Sequence, residues 1–147
     1  MRSYALHAMM EGSLSPLLPG VESYRFTWLR SFAEPVVIRI DRWGPIHSLT
    51  VKEHGGRDAP LRVDSRRLLA PSQWWEFRRR LERARFWSAV RAPVHSYVFG
   101  DGAAWILEGS HGRRYRALEY YSPSREGTAG VFREACQYLV ELSGLSY

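Results

Sequence analysis

The chain has one cysteine, Cys136, and one lysine, Lys52, among 147 residues. A single cysteine excludes an internal disulfide framework and any zinc site built from several thiolates, so the fold is expected to rest on packing. With one lysine, the positive charge is almost wholly arginine: Lys+Arg total 21, which leaves 20 arginines against 15 acidic residues, for a net charge of +6. The planar guanidinium binds carboxylate and phosphate through two parallel donors, so this surplus suits an acidic or polyanionic partner. A GC-rich coding sequence would produce the same bias with no function attached. No run of 18 apolar residues occurs, which argues against a membrane helix, and the apolar start of the chain is interrupted by His7 and Glu11, which argues against a secretory signal. The expected setting is cytoplasmic.

Chemical signatures are equally sparse. Gly100-Asp101-Gly102 lacks the further glycine of a dinucleotide-binding loop. Of the five histidines, His7, His47, His54, His95 and His111, no two stand four residues apart, the spacing by which a helix presents a metal. No metal, cofactor or catalytic set is therefore expected. Cys136 falls within an apolar helical stretch and reads as a core thiol.

The sequence does carry pattern. Residues 1–21 contain Gly12, Pro16 and Pro19 without sustained period and read as a lead-in, leaving 22–147 as one domain. A hydrophobic fraction of 45% is ample for one core at this length. From 23 to 30, Tyr24, Phe26 and Trp28 alternate with Ser23, Arg25 and Thr27, the two-residue period of a strand with one face buried. Pro35 opens a β-branched run with Val36, Ile38 and Ile40 on one side, and Gly44-Pro45 turns the chain into 48–53 with Leu49 and Val51 inward. A fourth strand is expected over 61–68.

Pro71 suits a first helical turn. Trp74, Phe77, Leu81 and Ala84 then recur at helical spacing and predict an amphipathic helix to about residue 89, with Arg78, Arg79, Arg80, Arg83 and Arg85 outward. A short strand is expected near 96–99. A hairpin follows, with His111-Gly112 as its turn, placing Trp105 opposite Leu118, Leu107 opposite Arg116, Glu108 opposite Tyr115 and Ala104 opposite Glu119. A last helix over 128–143 should turn Val131, Ala135, Leu139 and Leu142 inward and end at Gly144. Runs of strands followed by helices, without βαβ alternation, predict an α+β domain: one antiparallel sheet of about six or seven strands with two helices packed on one face.

Asp101-Gly102, the Trp105-Ile106-Leu107-Glu108-Gly109 strand, the return strand ending in Ser122-Pro123, Tyr24-Arg25-Phe26 and the terminal 139–145 stretch together resemble an uncharacterised family of small bacterial proteins, over most of the chain from Glu22 onward. The resemblance implies no activity. Where that family has an aromatic and a basic residue before the Ser-Pro, this chain has Tyr120-Tyr121.

Three functions fit these features. The first is a non-catalytic domain that binds a protein with an acidic surface, in its most concrete form an immunity or inhibitor protein against a bacterial toxin. Its contacts would be Trp75, Arg79, Arg83 and Tyr121, because aromatic and arginine side chains dominate interface energetics. The second is a nucleic-acid-binding domain using the face from Arg78 to Arg85. The third is a small hydrolase in which Glu108, near Asp101 and Tyr115, works with a histidine.

Overall fold

The computed structural model describes residues 7, 9, 11–14, 19–88 and 102–146. Within them lie six strands, β1 (Val21–Arg30), β2 (Ala33–Trp43), β3 (Ile46–Glu53), β4 (Val63–Leu68), β5 (Ala103–His111) and β6 (Arg114–Tyr121), and two helices, α1 (Pro71–Arg83) and α2 (Gly127–Ser143). The strands form one antiparallel sheet in the order β4-β3-β2-β1-β5-β6. Both helices pack on one face of it, giving the α+β architecture anticipated from the sequence. The strand expected near 96–99 lies outside the described residues.

The core forms where the alternating apolar positions of the strands meet the helices. Tyr24, Phe26, Ile38, Ile40, Leu49, Val51, Trp105, Leu107 and Leu118 join Trp74, Phe77 and Leu81 of α1 and Phe132, Ala135, Leu139 and Leu142 of α2 in one buried cluster. The inner stripe of α2 thus runs through Phe132, whose ring lies 4.3 Å from that of Tyr120, rather than through the half-buried Val131. Gly144 takes a left-handed φ of 72° and ends α2, as expected.

Helix α1 begins at Pro71, where Gln73 Oε1 accepts from the Ala70 amide at 3.1 Å. It stops at Arg83, well short of residue 89. Arg85 adopts a left-handed φ of 52°, and the Phe86 amide donates back to the Leu81 carbonyl at 3.2 Å, closing the last turn in the manner of a Schellman cap. The gain is burial of Phe86 beside Tyr24, with ring centroids 5.9 Å apart. Gly109 makes room for both rings, since a Cβ there would fall 2.6 Å from Phe86 and 2.8 Å from Tyr24.

The β5–β6 register differs from expectation by two residues. Trp105 pairs with Tyr120, Leu107 with Leu118, Glu108 with Ala117 and Ala104 with Tyr121. The turn is Gly112-Arg113, with Gly112 at φ 61°, because a tight hairpin turn takes a positive φ at its first central position and glycine has no Cβ to oppose it. A two-residue slip keeps every side chain on its own face, so Trp105, Leu107 and Leu118 still reach the core.

The largest departure concerns β1. Its second face, Ser23, Arg25 and Thr27, is buried as completely as Tyr24 and Phe26. β1 lies inside the sheet, and residues of the lead-in cover this face: Met9 packs with Val37, Leu29 and Leu61 in a small separate cluster, and Glu11 and Leu14 are buried.

Candidate functional site

The sheet positions three sets of polar groups. On the second face, Arg25 of β1 and Glu108 of β5 are direct partners across the ladder. Arg25 Nε donates to Glu108 Oε2 at 2.9 Å, Arg25 Nη2 lies 2.8 Å from the same oxygen, and both side chains are buried. Tyr115 Oη donates to Glu108 Oε1 at 2.6 Å, reaching diagonally across β5–β6 rather than from directly opposite. Both carboxylate oxygens of Glu108 are thus engaged, one by a cation and one by a phenol. Asp101 lies outside the described residues.

Beside this pair, Glu11 of the lead-in enters a group of cations. Its Oε1 lies 2.8 Å from Lys52 Nζ, and its Oε2 lies 3.0 Å from Arg39 Nη1 and 3.6 Å from Arg25 Nη1. Backbone carbonyls of the same segment add acceptors: Gly12 O for Arg25 Nη1 at 2.5 Å and Met9 O for Lys52 Nζ at 3.0 Å. Arg39 Nε also donates to Asp41 Oδ2 at 3.0 Å, and the Ser23 hydroxyl bonds Asp41. The sequence shows the residues but not this assembly, because buried charges in a strand have the same spacing as charges facing water.

The second set lies under α1. Arg78, expected outward, turns inward: its Nε is 3.0 Å from Glu22 Oε1 and its Nη1 donates to Tyr24 Oη at 3.1 Å. Tyr24 Oη in turn donates to Glu22 at 2.7 Å and accepts from Trp87 Nε1 at 3.0 Å. Burial first, then the hydrogen bond and negative charge of Glu22, push the Tyr24 phenol well above its ordinary range. The group ties residues 86–88 to the sheet and is structural.

The third set is the outer face of α1. Arg79 and Arg80 share Glu76, at 2.7 and 2.9 Å, and Arg83 faces Glu134 of α2 at 3.6 Å. Hydrogen bonds from Arg80 and then Arg79 hold the Glu76 carboxyl below its usual range. Trp75 stands exposed on this helix with the Arg42 guanidinium 5.3 Å from its ring centroid. Tyr121 does not join these residues. It pairs with Ala104, the neighbour of Leu29 on β1, and so lies on the second face with its ring against Gly102.

An apolar patch not anticipated from the sequence occupies the end of the sheet at the β2–β3 turn. Trp43 and Ile46 are cross-strand partners, and Leu68 of β4 opposes Ser48, the next residue along the same face of β3. Trp43 is 68% exposed, Ile46 52% and Leu68 73%, whereas Trp75, 53% exposed, stands on α1 on the helix side of the sheet. Arg66, the ladder partner of Thr50, shares the face of the patch, while Arg42 and Arg67 turn to the helix side toward Trp75 and the Leu142 carbonyl. The available signal was an aromatic residue beside Gly44-Pro45, a place where loops are ordinarily polar.

Between the helices a cavity of about 330 Å³ is lined by Arg80, Arg125, Arg133, Glu134, Gln137 and Glu141. Its charges are of both signs, and two of its arginines are committed to the backbone, Arg80 to Glu134 O and Arg133 to Pro123 O. Among the described residues no three of His, Cys, Asp and Glu gather as a metal site, and no helix is long and apolar enough to cross a membrane. Cys136 is fully buried, and desolvation raises its thiol well above the ordinary range. His54 bonds Glu34 at 2.9 Å and His111 lies 3.9 Å from Glu22; His95 lies outside the described residues.

His47 is buried in β3 with its ring 5.5 Å from that of Trp74. Desolvation, with a contribution from the Arg42 charge, lowers its pKa below 6.5. The unfolded chain then binds a proton more readily than the native one, so stability should fall as pH drops below about 6.5 and level off below the native pKa. Thermal melts between pH 7 and pH 5 should show this decline, and His47→Phe should flatten it. An unchanged slope in the variant would assign the decline to other groups.

Compared with known proteins, the chain matches no family model and no curated protein.

Proposed function

We propose that this protein is a non-catalytic binding domain whose partner is a protein with an acidic surface, and that it serves as an immunity or inhibitor protein against a bacterial toxin. The observation that carries this reading is the exposed apolar cluster of Trp43, Ile46 and Leu68 on the second face of the sheet, with Arg66 on the same face. Exposed apolar side chains grouped on one face mark interaction sites, and aromatic side chains with arginine beside them are the composition of a protein interface. Arg79 and Arg83 of α1, each beside a carboxylate, form a second candidate contact on the helix side of the molecule. A nucleic-acid interface draws less support, because Arg79, Arg80 and Arg83 each face a carboxylate. A hydrolase also draws less, because both oxygens of Glu108 are engaged.

The test is capture from a lysate of the source organism, treated with nuclease, by three immobilised proteins. The native chain should retain a protein whose binding weakens as salt rises. Trp43→Ser combined with Leu68→Ser should lose it, and Arg79→Glu combined with Arg83→Glu should weaken it, with melting temperatures unchanged in both. Capture that survives both pairs of substitutions would remove this surface from the proposal.

A further inference from the structure

The second face of the sheet is built like an occupied binding site. Arg25, Arg39 and Lys52 converge on one carboxylate, and that carboxylate belongs to Glu11, on a segment outside the sheet. Without Glu11 the cluster holds three cations against two carboxylates, Glu108 committed to Arg25 and Asp41 committed to Arg39. The remaining unit of positive charge sits where burial makes an unpartnered charge costly. Two further donors lie on the same face: the Thr27 and Thr50 hydroxyls are buried and have no hydrogen-bond partner among the described residues. Thr50 is the ladder partner of Arg39, and Thr27 is two residues from Arg25 on β1. The covering segment packs its apolar side into the small cluster of Met9, Val37, Leu29 and Leu61, separate from the main core.

We propose that Arg25, Arg39 and Lys52 form a carboxylate-binding cradle which the chain fills with its own Glu11, and which accepts a small carboxylate from solution when the Glu11 carboxylate is withdrawn. Glu11 is then an internal competitor for the cradle. Neither the apolar patch nor α1 enters this inference, so it stands apart from the proposed protein partner.

Chemical rescue tests it on the full chain. Glu11→Ala leaves a carboxylate-sized space among the three cations and should lower the melting temperature in sodium chloride by about 10 °C. Sodium acetate at the same ionic strength should restore about half of that loss by binding the folded state alone. The native protein, with Glu11 in place, should melt at the same temperature in either salt. Adding Lys52→Met to Glu11→Ala should abolish the acetate effect. An acetate shift equal in native and Glu11→Ala proteins, absent in Glu11→Ala, or persisting after Lys52→Met would overturn the proposal. If Glu11→Ala folds in neither salt, Glu11→Ser, which leaves nearly the same space, is read against the same outcomes.

Discussion

Arg25→Met should destabilise the domain by about 3–5 kcal/mol, the usual cost of removing one partner from a buried ion pair. Methionine retains the apolar stem of arginine out to the position of Nε, so the loss reads the guanidinium, its charge and donors together with the space it fills. Glu108 would keep the Tyr115 hydroxyl on Oε1 but lose both nitrogens that face Oε2. Glu11 would keep Arg39 and Lys52. Adding Glu108→Leu should recover much of the stability, because an apolar pair of similar volume often replaces a buried ion pair at little cost. Urea unfolding of the four proteins of this double-mutant cycle gives the coupling directly. A loss below about 1 kcal/mol for Arg25→Met, the size expected of an exposed pair, would mean that water reaches the guanidinium.

Trp105→Ala should cost about as much by a different route. Trp105 is 4% exposed, its ring lies 5.3 Å from both Phe26 and Trp28, and the Arg133 guanidinium sits 5.3 Å from its centroid. Truncation removes the indole and leaves a cavity against β1, β6 and α2 that the sheet cannot collapse to fill, for about 3–5 kcal/mol. The midpoint in urea should fall with little change in slope. Trp74 is as deeply buried, and its indole nitrogen has no hydrogen-bond partner among the described residues. A change there loses packing without losing a bond.

Most of the helix-facing half of the molecule was legible in the sequence, because there the physics is one-sided. Tyr24, Phe26, Ile38, Ile40, Leu49 and Val51 alternate with polar residues, and apolar side chains at a two-residue period have one stable placement. The second face was not legible. Ser23, Arg25 and Thr27 look solvated at this spacing, and their cover comes from a lead-in with no periodicity of its own. Charges that are buried because a distant segment supplies their partners leave no local mark. The end of α1 was missed for a related reason. Residues 84–88 continue the helical composition, but Phe86 finds a better position beside Tyr24 than a further turn would allow. The hairpin slipped by two residues because His111-Gly112 and Gly112-Arg113 both satisfy a turn rule, and the φ of Gly112 decides between them. Of the candidate site residues, Trp75, Arg79 and Arg83 do share α1. Tyr121 belongs to the other face, and of the apolar patch, Trp43 and Ile46 flank the predicted turn while Leu68 closes the expected fourth strand.

The order of the strands bears on how the molecule comes together. β1 through β4 are joined by short connections, and so are β5 and β6, whereas the β1–β5 ladder brings together residues as far apart in sequence as Arg25 and Glu108, separated by 83 positions. Hairpins between near neighbours close quickly, while pairing across a long loop must first overcome the entropy of closing it. The chain is therefore expected to assemble as two local halves whose docking along β1 and β5 sets the pace. The guanidinium and carboxylate that bridge this seam come from opposite halves, so their contact reports on docking rather than on the formation of either half. If they meet only after the transition state, weakening that contact hastens the separation of the halves more than it slows their approach, and the lifetime of the native state depends on a pair of charges that neither half contains by itself.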